Sequence, residues 1–182
     1  MADDYRTNPP AGAPPGIRNN NPGNIAIGDN WQGMTGNDGT FIIFADMSWG
    51  IRAMGIAITN MINQGYDTIT SLISQWSATD QVAYIANVSA ATTIDPNTQL
   101  GTDPDTLQSL MQAIVNQENG TYAQYVTAAD MAAGMALISS GTLITAVQSV
   151  AVQAVNDPTT AIAYLIAAIG GFFLVRYIYR KK

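Results

Sequence analysis

The chain has 182 residues with neither Cys nor His. That composition excludes disulfides, thiol nucleophiles, Ser-His-Asp chemistry and ordinary zinc sites, so no metal or cofactor is expected. Up to Pro158 it carries 13 acidic residues against Arg6, Arg18 and Arg52, a formal charge of 3 − 13 = −10, which disfavours nucleic acid as a partner because phosphates need Lys and Arg.

The length accommodates one compact domain of about 100–150 residues plus an appendage. Residues 1–15 are polar and proline-rich; they lack the apolar core of a secretory signal and read as a flexible leader. Residues 16–25, GIRNNNPGNI, are turn chemistry, since Asn and Gly accept positive φ and Pro22 holds φ at about −65°. Either this is an ordinary connection, or its amides face a polyhydroxylated ligand. Short apolar pieces at 24–27 (NIAI) and 40–45 (TFIIFA) bracket the turn-laden GDNWQGMTGNDG. They predict a small β-hairpin that needs something to pack on.

From Ser48 the period becomes helical. Trp49, Ile51, Met54, Ile58, Met61 and Ile62 share a face, and Gly65 supplies a stop. Asp67 is placed to cap a second helix with Ile69, Leu72, Ile73 and Trp76. Asp80 is placed to cap a third with Val82, Tyr84, Ile85 and Val88. After the polar stretch at 89–105, Asp103-Pro104 opens the best-defined helix, as N-cap and first helical residue. Leu107, Leu110, Met111, Ile114 and Val115 form its stripe, and Gly120 fits the position just past its end. A further helix is expected from about Thr127 through Leu137. The body is therefore α+β and mostly α.

Residues 131–156 carry no charge. They read as an uncharged connecting helix over 139–157, with a second membrane helix as the alternative. Pro158 to Val175 gives 18 uncharged, mostly apolar residues. With Tyr177, Ile178 and Tyr179 the run reaches spanning length, so 158–179 is expected to be a transmembrane helix, with Arg176 able to snorkel. The tyrosines suit an interfacial belt, and the basic tail at 180–182 favours a cytoplasmic end.

Glu118 is the only Glu among the 13 acidic residues. It lies in the last turn of the strongest amphipathic helix, at the negative end of the helix dipole, which disfavours a carboxylate there. A carboxyl inclined to keep its proton suits a general acid that protonates a glycosidic oxygen. The alternative is a solvent-exposed Glu in a surface turn.

GIRNNNPGNI, WQG at 31–33, FIIF at 41–44 and WGIRAM at 49–54 together resemble a group of bacteriophage virion-associated and lysis proteins. These carry a lysozyme-like, peptidoglycan-degrading domain. The resemblance continues through YDTITSLISQWS, YIANVS, DPDTLQSLMQAIVNQENG and AADMAAGMAL, and so covers roughly residues 16–138. It implies a lysozyme-like helical domain with a small hairpin, in which Glu118 matches the acidic residue of the family's helix-ending E-N-G. That ending is also similar to the helix-ending E-S of goose-type lysozymes and lytic transglycosylases. In those relatives the acidic helix precedes the β-region, whereas here it follows. The order is that of a circular permutation, and packing would have to bring the asparagine loop beside Glu118.

The resemblance also implies peptidoglycan as the partner. Asn20, Asn21, Asn24 and Gln117 are then expected to hydrogen-bond sugar groups, and Trp31 and Tyr122 to offer stacking surfaces. Trp49 is a third candidate stacking surface, though its place at the start of a helix with core periodicity favours packing. Arg18 and Arg52 are candidates to hold Glu118 or a peptide carboxylate, or simply to pair with surface Asp. Hydrolases of the usual kinds need two carboxylates flanking the bond, for which Asp46 or Asp38 would be the second. A lytic transglycosylase needs only one. Two classes of function stay open: a membrane-anchored murein-cleaving enzyme acting in genome delivery or release, and a structural membrane protein of the virion with a degenerate lysozyme-like body. The membrane concerned is the virion's own or the bacterial inner membrane, with the domain facing the periplasm; other virion proteins are further partners.

Overall fold

The computed structural model describes residues 2–78 and 80–140. The chain divides into two compact units, Met1–Leu137 and Ile138–Lys182, and the architecture below is that of the first. Its elements are α1 (Pro15–Arg18), β1 (Met34–Asn37), β2 (Ile42–Phe44), α2 (Met47–Asn63), α3 (Ile69–Trp76), α4 (Gln81–Thr92) and α5 (Pro104–Asn119). A 3-10 turn over Gly120–Tyr125 follows, and residues 128–140 are helical. The α+β, mostly helical class is as expected.

α5 lies at the centre, packed against α4, α2 and α1. It starts as its sequence dictates, with Asp103 accepting the Thr106 N–H and Pro104 in the first turn. It buries Leu107, Leu110, Met111, Ile114 and Val115, and α2, packed on it, buries Ile51, Met54 and Ile58; Leu72 and Ile73 of α3 are buried where α3 meets α2 and α4. Each such side chain contributes about 1.5–3 kcal/mol when fully buried, so this stripe organises the unit. Gly134 of the helical stretch over 128–140 lies directly on α2. A Cβ at Gly134 would strike Ile51 and come within 3.1 Å of the Ser48 carbonyl oxygen.

Several local expectations are corrected. The hairpin pairs β1 with β2 antiparallel, whereas residues 24–27 contribute only an isolated bridge, Ala26 with Phe41. Its turn is residues 38–41, between the paired Asn37 and Ile42. Asp38 Oδ1 accepts the N–H groups of Thr40 (3.0 Å) and Phe41 (2.8 Å), and Asn37 Oδ1 accepts that of Gly39 (3.1 Å). α3 is capped by Thr68 in a reciprocal box with Ser71, while Asp67 instead accepts from Gln99. Asp80 precedes α4 in a left-handed conformation and makes no side-chain cap. Of the third helix's predicted face, Tyr84 and Val88 are buried but Val82 is 83% exposed.

The leader is docked rather than free. Asp3 donates its N–H to Asp130 Oδ1 (2.7 Å) and accepts from the Met47 N–H (2.8 Å). The Tyr122 hydroxyl donates to the Ala11 carbonyl (2.8 Å), and Ala13 is buried. Asp130 also accepts from the Thr127 N–H and hydroxyl, so one buried carboxylate caps the helix over 128–140 and anchors the leader. Among the described residues no helix is long and apolar enough to cross a membrane. The expected transmembrane helix at 158–179, and all but two residues of the connecting segment at 139–157, lie outside the described residues.

Candidate active site

The GIRNNNPGNI run is held from four directions. Asn19 donates to Asp38 Oδ2 in the hairpin turn (2.7 Å), and its carbonyl accepts the Phe44 N–H (2.9 Å). Asn20, in left-handed backbone at φ 50°, donates to Asp4 Oδ1 (2.9 Å) and the Phe44 carbonyl (3.2 Å) and accepts the Tyr5 N–H (2.9 Å). Asn21 donates to the carbonyls of Ile25 and Ile42 and accepts the Ile25 N–H, all at 2.9 Å. The backbone of Asn20 and Pro22 touches α2 so closely that a Cβ at Gly50 would collide with it. These bonds hold the loop in one shape.

The end of α5 grips that loop with two consecutive residues. Asn119 Nδ2 donates to the Pro22 carbonyl (2.8 Å) and the Val115 carbonyl (2.9 Å). Glu118 Oε2 accepts from Asn24 Nδ2 at 2.7 Å, across 94 positions of chain. Asn24 is again left-handed, at φ 51°, a conformation that Asn tolerates better than most side chains. The other oxygen, Oε1, accepts the Tyr84 hydroxyl at 2.8 Å. Glu118 follows Leu107, Met111 and Ile114 at helical spacing, so it ends the apolar stripe and is half-buried. Tyr84 is 4% exposed. Burial first, then the Glu118 carboxylate, pushes its phenol far above the ordinary 10.0, so it stays an O–H donor. The arrangement is one carboxylate with a fixed donor on each oxygen.

Asn24 and Glu118 are thus adjacent, and Tyr84 joins them. The remaining candidates lie elsewhere or are committed. Asn20 and Asn21 are fully buried, with their polar atoms engaged inside the protein, so they are framework rather than sugar contacts. Gln117 accepts from Asn87 of α4 (2.9 Å). Tyr122 stacks on Tyr125 at 6.1 Å and holds the leader. Trp31 and Trp49 both pack against Ile42, Phe44 and Ala53. Arg18 donates to the Ala13 carbonyl (2.8 Å). The Arg52 guanidinium lies 5.8 Å from the Trp49 ring, and burial lowers its pKa from 12.5. Neither arginine pairs with Glu118. Asp46 caps α2 through the Ser48 N–H and hydroxyl, and Asp38 is consumed by the hairpin turn. The ion pair among the described residues is Arg6–Asp4.

Sequence reasoning missed Tyr84 as a site residue and placed it in a packing face. The available signal was a hydroxyl on an otherwise apolar helical stripe, which must find a partner when buried. Among the described residues no group of three His, Cys, Asp or Glu is placed to hold a metal ion. Compared with the known protein families and with curated proteins, the chain matches none.

Proposed function

We propose that this protein is a membrane-anchored, phage-type peptidoglycan-cleaving enzyme acting on the β-1,4 bond between MurNAc and GlcNAc by lytic transglycosylase chemistry. The observation that carries the reading is the Asn24–Glu118–Tyr84 contact, which joins the only Glu to the asparagine loop of the family-like motif. Protonated Glu118 gives its proton to the glycosidic oxygen as the C1–O4 bond breaks. The resulting carboxylate, held by Tyr84 and Asn24, takes the proton of the muramic 6-hydroxyl as that oxygen bonds to C1. No water is consumed, and the product is a 1,6-anhydro sugar. Asp46 and Asp38 are both spent on local capping. A second free carboxylate for hydrolysis is therefore not supplied by the candidates, which favours this route over a muramidase. The apolar run at 158–179 and its basic tail would tether the domain to a virion or inner membrane during genome delivery or release.

One observation favours a structural role in the virion instead: both Glu118 oxygens already hold protein donors. Incubating the full chain with purified sacculi and analysing the released fragments by mass spectrometry separates the two. The enzyme reading expects 1,6-anhydro muropeptides from the wild type and none from folded Glu118→Gln. Absence of soluble muropeptides from the wild type would leave the structural role.

A further inference from the structure

We infer that the hollow between α4 and α5 is a second glycan-binding site, separate from Glu118, which takes the N-acetylated amino-sugar backbone of a strand. The inference rests on the murein-directed reading above and adds to it a surface that holds the polymer. The hollow encloses about 330 Å³, at the lower end of the range of about 300–1,000 Å³ for small-molecule sites. Two small residues line it, the buried Ala113 of α5 and the exposed Ala91 of α4. Gln108, Gln112 and Asn116 form its rim at four-residue spacing, a row of about 12 Å along the helix. That row lies on the face of α5 opposite the stripe that ends in Glu118, so the two sites do not share side chains.

The chemistry of the rim selects the ligand class. Each carboxamide donates and accepts, as sugar hydroxyls and acetamido groups require of a partner. Gln112 Nε2 donates to Asn116 Oδ1 at 3.1 Å, which aligns two amides and leaves one oxygen and further N–H groups to face outward. Among the described residues no cation lines the hollow, and Asp105 at its edge disfavours a phosphate ligand. Among the described residues no aromatic ring lines it, so recognition there falls to hydrogen bonds. Rim hydrogen bonds of this kind are individually weak because water competes for them. On a polymer that is enough, since a strand held at one site presents its neighbours to the other at high effective concentration.

The test uses the full-length chain in detergent micelles, with Glu118→Gln as background so that binding is read without cleavage. Sacculus retention is measured by co-sedimentation, and a soluble tetramer of N-acetylglucosamine is titrated while backbone amide shifts are followed by NMR. Adding Gln112→Ala and Asn116→Ala, both exposed helix positions where Ala is well tolerated, is expected to weaken sacculus retention roughly tenfold. The tetramer should shift the amides of 108–116 in the background chain and not in the triple variant. Unchanged retention, or tetramer shifts confined to the surroundings of Asn24 and Glu118, would overturn the second site. Lost retention in the triple variant, together with no fragments from the wild type, would uphold the site and reject the enzymatic reading.

Discussion

Tyr84 and Asn24 divide the two oxygens of Glu118 between them, and the two donors differ in kind. Tyr84 is buried on α4, so on the proposed reading it positions Glu118 without touching substrate. Replacing it with Phe keeps the ring and removes only the hydroxyl. A hydrogen bond to a charged group contributes about 1.5–3 kcal/mol, and Glu118 is half-buried, so a loss of about 1–2 kcal/mol is expected in urea denaturation at pH 7. On soluble murein fragments Tyr84→Phe should lower kcat roughly 10–100-fold and leave KM nearly unchanged; a change confined to KM would place Tyr84 against substrate instead. Asp38 acts at the same scale in the hairpin. The Phe41 N–H, then the Asn19 amide and the Thr40 N–H, hold its pKa below the ordinary 3.8. Its folded value is depressed, so its stabilisation is present above pH 3.8 and fades as pH falls through the folded value. The effect is small because the group is exposed to solvent. Hydrogen exchange of the Thr40 and Phe41 amides should therefore lose protection below about pH 4 in the wild type, and Asp38→Asn should flatten that acid dependence.

The loop and the helices around it meet through glycines whose missing side chains set the distances. α2 rides on the Asn20 and Pro22 backbone at Gly50, where an added Cβ would lie 2.9 Å from Pro22 Cδ and closer still to the Asn20 carbonyl oxygen. In an exposed helix Gly→Ala gains about 1 kcal/mol. Here overpacking against backbone costs about 1–3 kcal/mol and wins, so Gly50→Ala should lower stability in thermal and chemical denaturation. Gly16→Ala should do the same by displacing Asn119, whose Oδ1 occupies the space a Cβ would take; neutrality in either variant would contradict this packing. The contrast shows what was legible in the sequence. α2 and α5 were, because their apolar spacing, the Asp103-Pro104 cap and the stops at Gly65 and Gly120 are local signals. β1 was not: Met34–Asn37 is largely exposed and lacks alternation, and its strand state comes from pairing with Ile42–Phe44. The asparagine run was legible as a turn, but its partners were not. Asn20 and Asn21 look like ligand contacts until tertiary packing buries them. The leader reads as free until Asp130 and Tyr122, more than 100 positions away, capture its backbone.

Charge at the scale of the whole chain is segregated, with −10 before residue 159 and +4 in the last seven residues. The body spends little of that charge in pairing, since Arg6–Asp4 is the ion pair among its described residues. Cytoplasmic leaflets carry anionic lipid and attract basic segments within about a Debye length. A tail of Arg and Lys is drawn to such a surface, while an acidic domain is repelled by it. If the chain is anchored as proposed, both terms, together with the bias of basic residues toward the cytoplasm, favour one orientation: tail inside, body across the membrane where murein lies. Protease added to right-side-out inner-membrane vesicles bearing the full chain should therefore digest the body and spare a small apolar fragment that includes the tail. Inverted vesicles should protect the body. High salt during the digestion should leave both patterns unchanged, because the apolar run, not the tail's charge, supplies the anchoring free energy at about 0.8 kcal/mol per buried CH₂. A body digested only in inverted vesicles would place it beside the cytoplasm, out of reach of murein, and the enzymatic role would then have to wait on lysis of that membrane.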